Sequence, residues 1–280
     1  MQHISRPLPP PPPSSNTIPL GAPPPYSEQD RTIHYPPDIP SKGNAYPSHS
    51  HPVHPHHSQL VIRQKNKKIE LSEAWRGELC DLETMNSQIC LEKRIWAERW
   101  IRLKTVNAKI RVADELLAPQ IHIDTTNSQV KIKSCVAASD LLRIATDNAR
   151  IEVKESARLE GSRIYVETTN SRVHLDDVRP SKLLRVKTSN GSINVNVLRA
   201  SPSVKAIFKT SNSSVVVHFP TNFVGYFRVK TSKSGKALVN SSNIFLDVDE
   251  PNEKVGRQGS GDGYIDIETS SADAELVFDK

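Results

Sequence analysis

A four-residue unit, Thr-x-Asn-small, returns along most of this chain and constrains its fold more than any other feature. It reads Thr84-Met85-Asn86-Ser87, Thr105-Val106-Asn107-Ala108, Thr125-Thr126-Asn127-Ser128, Thr146-Asp147-Asn148-Ala149, Thr168-Thr169-Asn170-Ser171, Thr188-Ser189-Asn190-Gly191 and Thr210-Ser211-Asn212-Ser213. Two degenerate copies follow, Thr231-Ser232-Lys233-Ser234 and Thr269-Ser270-Ser271-Ala272. Successive Asn positions lie 21, 20, 21, 22, 20 and 22 residues apart, and a longer gap before Ser271 implies an insertion near 239–264. Self-similarity at such a period marks a repeat architecture.

The flanks of the unit alternate with period two. Six and four residues before the Asn position stand pairs such as Ile101/Leu103, Ile121/Ile123 and Leu184/Val186. Three and five residues after it stand Ile110/Val112, Val130/Ile132 and Ile193/Val195. Of the 36 positions so defined, only Lys236 is not apolar. Alternation rich in β-branched residues predicts half-buried strands. Each repeat is therefore strand, tight turn, strand and a looser return. A two-residue hairpin would need positive φ at both turn residues and favours Gly in the second place. That place holds Gly only once, at Gly191. A corner with one left-handed residue suits Asn better, and stacked coils align Thr over Thr and Asn over Asn, within reach of rung-to-rung hydrogen bonds. The expected fold is all-β: a single-chain β-solenoid of about nine rungs of about 21 residues, roughly 43 Å long at the strand spacing. Residues 58–79, near the three tryptophans Trp75, Trp96 and Trp100, and the insertion 239–264 are expected to cover its two ends.

Composition divides the chain before the repeats begin. Residues 1–57 hold 16 of the 21 prolines and 7 of the 10 histidines, and their charges cancel. So Pro-rich a segment, with few large apolar residues, cannot bury enough surface to offset chain entropy. Residues 1–57 are read as a disordered Pro/His-rich tail and 58–280 as the solenoid domain. No apolar run is long enough to span a membrane, and no secretory leader opens the sequence. Three cysteines, Cys80, Cys90 and Cys135, without a CxxC, argue against a disulfide scaffold or a structural zinc site. These features point to an intracellular, cytoplasmic chain.

Strand-T-x-N-G/S-strand repeats of about 21 residues resemble the putative-adhesin β-helix domain of unknown function found widely in bacteria. With the PPPPYS-like N-terminus, the chain is similar to a fungal branch carrying a related domain. The resemblance covers about residues 60–280 and implies a β-helix fold, with no catalytic or cofactor residues to transfer.

Two sets of residues are candidates for binding. Pro23-Pro24-Pro25-Tyr26 is a PPxY peptide: the prolines preset a polyproline II helix, and Pro23, Pro24 and Tyr26 suit the aromatic-lined groove of a WW domain. On the body, alternation turns Arg102, Arg143, Arg185 and Arg228 outward, with Lys187, Lys209 and Lys230 beside them. This stripe is a candidate face for a polyanion such as anionic lipid headgroups or an acidic partner, while few aromatics interleave for nucleic-acid stacking. His49, His51, His54, His56 and His57 have short chelating spacings, but no fold fixes their geometry, and no metal or other cofactor is expected. His122 and Asp124 share an outward face without a nucleophile beside them, and no catalytic residue is assigned. The expected function is a non-enzymatic interaction module whose tail recruits a WW-domain partner. The alternatives are a peripheral polyanion binder and a carbohydrate-active β-helix protein.

Overall fold

The computed structural model describes residues 58–279 apart from Glu155 and Lys233. Within them every regular element is a strand, and all 21 strands join one sheet wound into a β-solenoid. Strands that precede the corners stack in parallel: Gln59–Lys65, Trp75–Met85, Ile95–Val106, Leu116–Thr125, Cys135–Thr146, Arg158–Thr168 and Val173–Lys187. Short strands after the corners form a second wall, from Ile69–Leu71 through Ile89–Leu91, Ile110–Val112, Val130–Ile132 and Ile151–Val153 to Ile193–Val197. Alternation drives both walls, because each inward pair, from Cys80/Leu82 to Ile193/Val195, is at most 1% exposed. The stacked pairs form one continuous apolar core.

The return between repeats is more ordered than periodicity suggests. Strands such as Trp75–Met85 and Arg158–Thr168 bend at a register shift, between Gly77 and Leu79 and between Gly161 and Arg163. One long strand thereby supplies two walls, as bulges allow. The bend buries a column of small residues: Gly77, Ala97, Ala118, Ala138, Gly161 and Pro180. A Cβ on Gly77 would lie 2.2 Å from the Ser58 carbonyl oxygen, so the backbones meet too closely there for a side chain.

The corner chemistry divides between the two retained residue types. Each Asn amide donates to the amide oxygen of the Asn one rung earlier, at 2.5–3.1 Å, from Asn86 to Asn66 up to Asn212 to Asn190. The threonines do not bond one another. Each buried hydroxyl instead donates to a backbone carbonyl of the neighbouring corner, as Thr105 does to Ser87, Thr125 to Ala108 and Thr210 to Gly191, each at 3.0 Å. A buried carbonyl without a partner is costly, which explains why Thr is kept.

The left-handed Asn is found at only three corners. Asn66, Asn86 and Asn107 have φ of 60°, 57° and 65°, and no later corner Asn has a positive φ. The strand continues through the intervening residue where that residue is Lys65, Met85 or Val106, which leaves Asn to make the turn alone. Where it is Thr126, Asp147, Thr169 or Ser189, the strand stops at or before the preceding Thr. Short polar side chains favour turn conformations, so two residues share the bend.

Three arrangements differ from the sequence expectation. A further rung, Gln59–Lys65 with Ile69–Leu71, precedes the nine repeats, carrying Gln64 in place of Thr and Asn66 at the foot of the amide ladder. Residues 58–71 are thus a rung rather than a cover, and Trp75, Trp96 and Trp100 lie within rungs as half-buried side chains. After the eighth corner the residues in register are Ala237 and Val239, not Lys236 and Leu238. This corner is one residue longer and includes Gly235, where a Cβ would lie 2.2 Å from the Ala272 carbonyl oxygen.

The third difference is topological: the last rung in sequence is not last in space. Gly263–Glu268 lies between Lys205–Lys209 and Gly225–Lys230, parallel to both. Ala274–Asp279 likewise lies between Val215–Pro220 and Ala237–Asn240. The chain skips a rung after Pro220, builds the outer rung, and returns to fill the gap. Phenylalanines pack where it does so: Phe223 lies 5.3 Å from Phe219 and 6.0 Å from Phe278, and Phe227 lies 5.9 Å from Phe278. The hairpin Phe245–Glu250 and Glu253–Gln258 then pairs antiparallel with Gly225–Lys230 on its outer side.

Candidate functional site

Alternation and parallel register place the outward candidates in two adjacent columns. One runs Asp81, Arg102, His122, Arg143, Tyr165, Arg185, Ile207, Asp266, Arg228. The other runs Glu83, Lys104, Asp124, Ala145, Glu167, Lys187, Lys209, Glu268, Lys230. The inserted rung sets Asp266 between Ile207 and Arg228, and Glu268 between Lys209 and Lys230. Sequence order already sets Glu83, Asp124, Glu167 and Glu268 in the second row; the structure moves Asp266 and Glu268 from the end of the stripe to its interior.

Most of its cations are engaged. Arg102 lies 3.5 Å from Glu83, Arg143 pairs with Asp124, Arg228 lies 2.8 Å from Asp266, and Lys230 lies 3.1 Å from Glu253. Lys209 lies 2.6 Å from Glu268 and 3.5 Å from Asp266. These contacts stabilise the charged forms: the hydrogen bond Lys209 donates to Glu268 raises the pKa of Lys209, and the one Arg228 donates to Asp266 raises the pKa of Arg228. Among the described residues, Arg185 and Lys187 form no ion pair.

Lys187 opens onto a groove of about 600 Å³ beside the corners of five rungs. Its floor is the residue between Thr and Asn in each repeat: Asp147, Thr169, Ser189, Ser211 and Ser270. Its wall carries Arg143, Glu167, Lys187, Lys209 and Glu268. Repetition every strand spacing gives a polar, hydroxyl-rich channel with both signs of charge. The intervening position varies along the sequence, and its signal there is the run of Thr169, Ser189, Ser211, Ser232 and Ser270 from repeat five onward.

Other candidates resolve differently. His122 is half-buried, and burial lowers its pKa against the opposing influence of Asp124. Asp124 itself is occupied by Arg143. Cys80, Cys90 and Cys135 are all buried and free, and burial pushes the Cys80 thiol up to about 12. Cys90, on an outward position, is covered nonetheless, at 4% exposure. No group of His, Cys, Asp or Glu among the described residues is arranged to hold a metal ion. Among the described residues, no helix is long and apolar enough to cross a membrane. Pro23, Pro24 and Tyr26, and the histidines of 49–57, lie outside the described residues.

No family model matches the chain, and no curated protein or solved structure does so either. The solenoid implied by the putative-adhesin resemblance is present, whereas the family assignment finds no support in these comparisons.

Proposed function

We propose that the chain is a non-enzymatic interaction protein, in which a rigid β-solenoid is joined to a tail that recruits a WW-domain partner through Pro23, Pro24 and Tyr26. The supporting observation is how the solenoid uses its polar groups. Asn amides bond Asn amides, Thr hydroxyls bond carbonyls, and outward carboxylates bond outward cations along successive rungs. Groups committed in this way make a stiff platform, and the PPxY peptide supplies the recognition chemistry. The putative-adhesin-like kinship and a cytoplasmic location belong to the same proposal and rest on the sequence.

A labelled peptide spanning residues 18–32 is expected to bind WW domains with micromolar affinity and to lose at least about tenfold on Tyr26→Ala, or about 1.4 kcal/mol. The full chain should show the same loss. Equal binding by the Ala variant, or none across a broad WW panel, would remove the tail's assigned role.

A second reading, binding of a polyanion, is favoured by the free cations Arg185 and Lys187 beside the hydroxyl-floored groove. It narrows the original seven-residue face to these two. Added salt would weaken such binding strongly and WW binding little, and deleting residues 1–57 would abolish only the latter.

A further inference from the structure

The two ends of the solenoid are complementary in strand direction, register and charge. At one end Gln59–Lys65 pairs with Trp75–Met85 on one side only, among the described residues. At the other, Phe245–Glu250 pairs, among the described residues, only with Glu253–Gln258. Glu253–Gln258 is antiparallel both to Phe245–Glu250 and to Gly225–Lys230, so Phe245–Glu250 again runs parallel to Gly225–Lys230 and to every rung strand. Its open side therefore presents the direction that the first strand of another copy would need to extend the parallel ladder.

Register follows from the same pairings. Leu246 lies over Gly256 and Phe227, in the inward column to which Leu60 belongs. Val248 lies over Val255 and Arg228, in the outward column of Val61; Glu250 lies over Glu253 and Lys230, in the column of Arg63. Stacking in register would set Leu246 on Leu60, Val248 on Val61 and Glu250 on Arg63. Both ends expose apolar surface, with Val61 at 50% and Phe245 at 58% exposure, and Leu60, Ile62, Ile244 and Leu246 only partly covered. Residues 58–74 have four basic and two acidic residues, net +2, and residues 241–258 have two basic and four acidic ones, net −2.

We propose that copies of this chain associate end to end, with Gln59–Lys65 of one copy adding in parallel to Phe245–Glu250 of the next. The contact is heterologous, so it generates an open filament rather than a closed dimer. Unpaired backbone groups on both strands supply the hydrogen bonds, and Glu250 with Arg63 fixes the register.

Sedimentation of the full 280-residue chain tests this. The weight-average mass should rise continuously from micromolar to hundreds of micromolar without levelling at a dimer, and less steeply in high salt. Glu250→Arg and Arg63→Glu should each lower the association constant about tenfold. An equimolar mixture of the two should recover it, because each mutant end then meets its opposite. Arg63 also covers the buried Asp81, so Glu250→Arg alone decides the matter if Arg63→Glu fails to fold. A chain that stays monomeric throughout, a plateau at two copies, or Glu250→Arg associating like the wild type would each overturn the proposal.

Discussion

Val195→Asp is expected to lower the melting temperature by about 8–16 °C, while Asn194→Asp, one residue away, leaves it unchanged. Val195 is fully buried between Leu175 and Val217 in the second wall. An aspartate there finds no partner among stacked aliphatic side chains, so it must be buried as an unpaired charge or take up a proton. Such a substitution costs about 4 kcal/mol, and each kcal/mol shifts a domain of this size by about 2–4 °C. Asn194 sits between two buried neighbours yet points to solvent, so its change stays within about 0.5 kcal/mol. Thermal melts by circular dichroism compare the two. Val186→Asp and Ile193→Asp should behave as Val195→Asp does, because rungs in a solenoid are stabilised by their immediate neighbours. A Val195→Asp protein that melts with the wild type would mean that the inward and outward faces are assigned the wrong way round.

Ending the chain after residue 262 should have a larger effect still. The removed rung buries Ile265, Ile267, Leu276 and Phe278. At about 1.5–3 kcal/mol for each large apolar side chain, this amounts to roughly 6–12 kcal/mol. The loss falls in the interior of the stack, because Gly263–Glu268 and Ala274–Asp279 are each paired on both sides. The truncated chain should keep protected amides in the rungs before residue 200 and lose protection across 205–258, with new binding of a hydrophobic dye. A rung stacked on the outside would leave 205–258 protected, and hydrogen exchange separates the two outcomes.

Much of this architecture was legible in the sequence because it depends on a short-range code repeated many times. Thr and Asn at fixed spacing gave the corners, and alternation gave two walls and their buried pairs. The amide ladder follows from the spacing alone. The third wall was not legible as a strand, because its inward column is the small residues Gly77, Ala97, Ala118, Ala138, Gly161 and Pro180, and outward Trp96, Leu117 and Ala137 are apolar too, which erases the contrast that marks alternation. The first rung escaped notice because Gln64 replaces the threonine. The intercalation was hidden for a different reason: periodicity records which residues form a rung, not where that rung sits. A hint was present, since all six phenylalanines lie between Phe208 and Phe278 while earlier rungs are filled by smaller aliphatic residues. Aromatic volume there fills the space where an out-of-order rung meets its neighbours. The charge stripe depended on that order too. The inserted Asp266 and Glu268 engage Lys209 and Arg228, while Arg102, Arg143 and Lys230 find Glu83, Asp124 and Glu253, which leaves Arg185 and Lys187 as its free members.

Carbodiimide coupling followed by peptide mass mapping tests the rung order most directly, since it joins a lysine only to a carboxylate already in contact. The intercalated solenoid places Lys209 Nζ 2.6 Å from Glu268, 59 residues away in sequence. A Lys209–Glu268 amide should therefore be a prominent product in the monomeric protein, lost on Glu268→Gln. Rungs stacked in sequence order would put the 225–240 rung between these two residues. Absence of the Lys209–Glu268 link, with Lys230–Glu253 coupled as an internal control, would contradict the fold described above.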